Sequence, residues 1–221
     1  MSRVPKLSGK KQARKPKNIP RRNRTLIVVE GEKTEVHYFD YVNSALPSTN
    51  MQMKTVGVKG DPMIIVDRAI EFMKKEELEA RRSGDKGNVY DQVWAVFDVD
   101  DHARIDSAIK LAEDNGIHIA ISNPCFEIWL VLHHREQSAH VSTDEIQNGW
   151  YKCCGKKGKS LASGDVAGRF GYAHGRAVEL EKKHAREDRK FPDNNPSTGV
   201  HVLVSYLVDS ANRSSSKTCS L

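Results

Sequence analysis

"VWAVFDVDDH" (residues 93–102) sets five apolar residues directly against three carboxylates. The apolar run Val93, Trp94, Ala95, Val96 and Phe97 reads as a strand entering a core. Asp98, Asp100 and Asp101 then stand at its carboxyl end, where acids this close repel one another unless something positive neutralises them. Alternate residues of an extended chain point to one side, so Asp98 and Asp100 aim at a common point.

The flanking sequence places this strand third in a series. "TLIVVE" (residues 25–30) is a short, β-branched, apolar run that also ends in an acid, Glu30. In "KTEVHYFDYVNSAL" the residues Val36, Tyr38 or Phe39, Val42 and Ala45 or Leu46 recur at helical spacing, and Pro47 with Ser48 ends that helix. "MQMKTVGV" (residues 51–58) is a second strand. Asp61 as cap and Pro62 at the first helical position open a long helix that closes near Gly84. After the DVDD segment, "ARIDSAIKLAEDNG" is an amphipathic helix closed by Gly116, and "IHIAIS" (residues 117–122) is a fourth strand. "NPCFEIWLVLHH" predicts a helix capped by Asn123 with Pro124 in its first turn.

Strand and helix therefore alternate, with crossovers long enough for parallel pairing. The expected fold class is α/β, with a mostly parallel four-stranded sheet flanked by helices. Beyond Ser142 strand signals vanish. A helix is expected from near Asp165, and a final apolar helix after Pro196, capped by Ser197 or Thr198. The chain thus divides into a disordered basic tail (1–24), an α/β core (25–141), a helical carboxyl-terminal part packed on the core (142–211) and a frayed end (212–221). There is no internal repeat.

Charge is spread unevenly. Of the 35 Lys and Arg, ten fall in residues 1–24, which contain no acid; the rest of the chain has 25 bases against 29 acids. The tail lacks apolar periodicity and suits an electrostatic arm for nucleic-acid phosphates, with Arg21, Arg22 and Arg24 nearest the first strand. No run approaches the ~18–20 apolar residues of a membrane span. The basic start has no apolar stretch behind it, unlike a secretory signal, so a cytoplasmic location is expected. The four cysteines form no C-x-x-C pair and read as reduced thiols.

Open parallel sheets bind ligands at the carboxyl ends of their strands. Glu30 and Asp98 with Asp100 occupy two such ends, and they can meet if their strands are neighbours. Hard oxygen donors of this kind suit Mg²⁺ or Mn²⁺ rather than zinc. Glu32, Glu35 and Asp101 are candidates to support such an ion or to hold a second one. Glu127, about one turn into the helix after the fourth strand, can face the same edge. Lys33, Lys59 and the lysines of "GKKGKS" (Lys156, Lys157 and Lys159) are candidates to meet phosphate. That segment is not a P-loop, because two residues rather than four separate its glycines. His133 and His134 are expected at a solvated helix end, Trp129 and Phe126 in the core, and His201 is a weaker site candidate near a helix start.

"LIVVEGEKTEVHYF", "AVFDVDDH", "SNPCFEIWLVLHH" and "NPSTGVHVLVSYL", in this order across nearly the whole body, together resemble the RloB family. Members of that family resemble TOPRIM domains, as found in topoisomerases, primases and OLD-family nucleases. The TOPRIM pattern has a Glu at one strand end and D-x-D at another, and Glu30, Asp98 and Asp100 match it. The resemblance implies a TOPRIM-like core and Mg²⁺-dependent cleavage of DNA or RNA with Glu30, Asp98 and Asp100 as catalytic metal ligands. It also implies a role in bacterial defence against phage or foreign DNA.

Two other readings compete. "DVDDH" is similar to the nucleophile motif of haloacid-dehalogenase phosphatases, but those usually carry it on the first strand and follow it with Thr or Val. The body can also be a non-catalytic TOPRIM-like module that binds nucleic acid or a partner ATPase.

Overall fold

Residues Thr25 to Val29 are all buried, as a strand covered on both faces requires. They belong to β1 (Asn23–Val29) of a five-stranded sheet in the order β2-β1-β3-β4-β5. The computed structural model describes residues 23–46, 51–99, 104–155 and 161–212. The four expected strands are β1, β2 (Met51–Gly57), β3 (Gln92–Asp98) and β4 (His118–Asn123), each parallel to its neighbour. A two-residue strand, β5 (Ser197–Thr198), is added antiparallel to β4.

The crossovers place helices on both faces. Helix α1 (Thr34–Ala45) joins β1 to β2, α2 (Pro62–Ser83) joins β2 to β3, and α3 (Ile105–Asp114) joins β3 to β4. Alternation along the strands decides which face each side chain serves. Leu26, Val28, Ala95 and Phe97 pack with α2 and α3. Ile27, Val29, Trp94 and Val96 pack with α1 and the later helices α4 (Glu127–Leu132), α5 (Thr143–Cys154), α6 (Phe170–Arg186) and α7 (Val200–Asn212). No helix of the described residues is long and apolar enough to cross a membrane.

Local chemistry sets the helix ends as expected for α2 and α3. The Asp61 carboxylate accepts from the Ile64 N–H at 3.3 Å, Pro62 starts α2, and Gly84 closes it at φ 73°. After β1 the chain turns to β2 on one side, and β3 then pairs on the other. The sheet therefore has a topological switch point between β1 and β3, with its crevice at their carboxyl ends.

Three expectations about the second half are corrected. Asn123 does not cap a helix. It stays in β4, and its amide donates to the Pro192 carbonyl at 2.8 Å and to Asn194 Oδ1 at 3.2 Å, fastening the segment that leads to β5. Helix α6 begins at Phe170 rather than near Asp165, because Ser163–Asp165 is a 3₁₀ turn and Gly168 adopts φ 71°, which breaks a helix. Ser197 and Thr198 lie in β5, although the Thr198 hydroxyl still accepts from Val200 N–H at 3.2 Å at the start of α7.

His133 also departs from expectation. It is buried, donates from Nδ1 to the Trp129 carbonyl at 2.9 Å, and meets the Trp129 and Tyr38 rings edge-on. The end of α4 is covered by α6, whose Arg176 donates to the Leu132 carbonyl at 2.6 Å. Burial holds the His133 imidazole down to about 4 and lowers His134 as well. Trp129 and Phe126 are core residues, as expected.

Leu130→Ala removes a fully buried side chain from α4 and is expected to cost about 2–5 kcal/mol in urea unfolding. Ser142→Ala breaks the capping box with Glu145 at the start of α5 and costs about 1 kcal/mol, shifting the midpoint without changing the slope. The His133 pKa is about 4 folded against 6.5 ordinarily, so between these values the unfolded chain binds a proton that the folded chain refuses. Its contribution is full above pH 6.5 and is lost as pH falls towards 4, by about 3 kcal/mol at most. The urea midpoint of a His133→Phe protein is expected to fall less steeply over that range.

Candidate active site at the carboxyl edge of the sheet

Val29 of β1 lies opposite Val96 of β3, so Glu30 and Asp98 leave adjacent strands at the same edge. Two hydrogen bonds tie them. Glu30 N–H donates to the Val96 carbonyl at 3.1 Å, and Asp98 N–H donates to the Glu30 carboxylate, at Oε2, at 3.1 Å. The Glu30 side chain is thereby held against the backbone of an aspartate 68 positions away.

Around this pair is a polar pocket of about 260 Å³. The turn after β1 and the start of α1 bring Glu32, Thr34 and Glu35; the β2–α2 connection brings Lys59 and Gly60; α4 brings Glu127 and α5 brings Gln147. Two close approaches shape it. The Glu35 carboxylate lies across Gly31, where a Cβ would sit 1.9 Å from Oε2. A Cβ at Gly57 would sit 2.8 Å from the Gly31 carbonyl, so the end of β2 packs directly on the turn.

The electrostatics are one-sided. Glu30, Glu32, Glu35, Asp98 and Glu127 all line the pocket; among the described residues that line it the one cation is Lys59, which pairs with Glu32 at 3.1 Å. Glu127 is only 6% exposed. The nearby Cys125 thiol is pushed up by burial first, then by the charges of Glu127 and Asp98. Carboxylates in so confined a space are stabilised by a bound cation, and an all-oxygen donor set fits Mg²⁺ or Mn²⁺. Among the described residues no group of three or more His, Cys, Asp or Glu side chains converges as a ready-made ligand set. Asp100 and Asp101 lie outside the described residues, as do Lys156, Lys157, Lys159, Arg21 and Arg22.

The structure thus brings Glu30, Asp98, Glu35, Glu127 and Lys59 together and leaves other candidates apart. Lys33 is exposed beside the turn and does not line the pocket. Arg24 is corrected from arm to fold. It lies in β1 at the opposite end of the sheet, with its guanidinium 4.7 Å over the Tyr90 ring, 3.9 Å from Glu76 and donating to Gln52. His201 is buried between α7 and α6, held by the Thr198 carbonyl at 2.8 Å and by Glu181 at 3.3 Å. Thr34 and Gln147 are pocket residues that sequence reasoning missed. For Gln147 the available signal was S-x-x-E at Ser142–Glu145, which marks the start of its helix.

No curated protein and no solved structure matches the chain. A family model described as RloB-like protein matches residues 25–207, from β1 into α7, and so contains every residue that lines the pocket. The chain belongs to the RloB-like protein family.

Proposed function

We propose that this chain is a divalent-metal-dependent phosphodiesterase that cleaves DNA or RNA, acting in bacterial defence. The observation that carries the reading is the hydrogen bond from Asp98 N–H to the Glu30 carboxylate, because it brings together two acids of the TOPRIM pattern at a switch point.

Asp98 and Glu30, with Asp100 of the same D-x-D, would hold Mg²⁺ or Mn²⁺. When bound, such an ion polarises a phosphoryl oxygen and offsets the charge that develops in phosphoryl transfer. Asp98 would present its carboxylate to the ion from the end of β3. Glu30, oriented by the bond it accepts from Asp98 N–H, would complete the ion's oxygen shell from the end of β1. Glu127, fixed in the floor by burial, adds negative charge that favours the cation. Lys59, exposed at the mouth, meets the incoming phosphate. The basic residues 1–22 supply sequence-independent attraction to the substrate backbone. A companion ATPase or other regulator is the expected partner, since a nuclease of broad reach needs restraint.

Cleavage of labelled DNA and RNA is expected to require Mg²⁺ or Mn²⁺ and to stop in EDTA. Asp98→Asn and Glu30→Gln should each lower the rate by about 10²-fold or more, with thermal unfolding close to that of the parent. Undiminished cleavage by both variants would refute the assignment. Binding without cleavage by the parent, across both metals and both nucleic acids, would make the chain a non-catalytic module.

Deleting residues 1–22 should weaken nucleic-acid binding and flatten its salt dependence while cleavage of short substrates persists. Gel-shift titrations at several salt concentrations check this, and an unchanged salt slope would remove the tail from substrate binding.

A further inference from the structure

A second concavity, larger than the acidic pocket, lies elsewhere on the described residues. It has a volume of about 710 Å³ and lies between α6 and the segment that follows α4. The proposed function gives it no role.

Its wall is one face of α6. Tyr172, Arg176, Lys183 and Arg186 recur at spacings that bring them onto that face. Tyr172 is 66% exposed, more than any other large apolar or aromatic side chain of the described residues. Its ring is accompanied by the Arg176 guanidinium, 5.7 Å from the ring centroid. The arginine is itself anchored, because Nη1 donates to the Leu132 carbonyl at 2.6 Å. An aromatic face beside a fixed guanidinium is a platform on which a base can stack.

The glycines point the same way. Gly171 and Gly175, four residues apart, both line the groove, and a Cβ at either would meet nothing within 4 Å. Glycine is a poor helix former, and no tight packing within the chain demands it here. The two together leave bare helix backbone open to a close approach from outside.

Charge selects the visitor. Of the two acids in the groove, Glu179 is paired with Lys182 at 2.8 Å, which leaves Glu136 against Arg176, Lys183 and Arg186. This positive face sits on a body in which acids outnumber bases. The groove and the acidic pocket lie at opposite ends of α4, a six-residue helix about 9 Å long, with Glu127 at one end and Leu132 at the other.

We propose that this groove binds single-stranded nucleic acid, stacking a base on Tyr172 and seating phosphates on Lys183 and Arg186. It rests on the reading of the acidic pocket as a nuclease site only in making the bound strand its substrate.

The test is fluorescence anisotropy of a labelled single-stranded oligonucleotide with the full-length chain in EDTA, so that no cleavage enters. Tyr172→Ala and Gly175→Leu, which removes the platform and fills the floor, should each weaken binding at least about 5-fold. Gly175→Leu should unfold at or above the parent temperature, separating loss of binding from loss of fold. Arg186→Glu should weaken binding and lower the salt slope by about one or more. Parent affinity in both Tyr172→Ala and Gly175→Leu, no binding by the parent, or tighter binding of a duplex than of the single strand would each overturn the proposal. If Asp98→Asn and Glu30→Gln both left cleavage intact while the groove variants still lost binding, the assignment of the acidic pocket as the catalytic site would fail and the groove would stand.

Discussion

The pairing of β1 with β3 is the constraint on which the molecule's chemistry depends. Parallel neighbours emit their carboxyl ends at the same edge, and here an acid stands just beyond the shared register on each strand, Glu30 directly after Val29 and Asp98 two residues after Val96. The bond from Asp98 N–H to the Glu30 carboxylate converts neighbourhood into fixed orientation. It also satisfies a backbone donor at the point where β3 stops pairing with β1, so structure and site use the same contact. Acids gathered at one strand edge favour a cation beside them, which is the physical basis of the proposed metal chemistry.

The carboxyl-terminal helices complete the site from the other side. Helix α4 is wholly buried, and that burial carries Glu127 into the pocket. Helix α5 packs on α4 and delivers Gln147. Helix α6 closes over the far end of α4 through Arg176 and Leu132. The helical part is therefore not an appendage: two of its helices contribute to concavities whose chemistry differs, one anionic and one cationic.

The α/β order and the two strand ends were readable because the signals are local. A β-branched apolar run, a Pro after an Asp cap and a Gly after a helix each act within a few residues. The adjacency of β1 and β3 was only conditional in the sequence, since pairing is a long-range choice. Tertiary context hid the rest. Two residues become β5 only because β4 offers an edge, Asn123 finds acceptors in a segment nearly seventy positions away, and His133 is buried by a helix that packs over it. Helix α5 buries only Ile146, Gly149 and Trp150, too sparse an apolar pattern to announce itself beside its capping box. Arg24 looked like tail because charge alone does not show where a strand begins.

The most direct measurement is anomalous scattering from crystals soaked in Mn²⁺. The expected result is a peak at the carboxyl edge of β1 and β3, with carboxylate oxygens of Asp98 and Glu30 about 2.0–2.3 Å from the ion. A Mn²⁺ peak elsewhere, or none in the pocket at saturating Mn²⁺, would contradict the assignment of this edge as a metal-dependent catalytic centre.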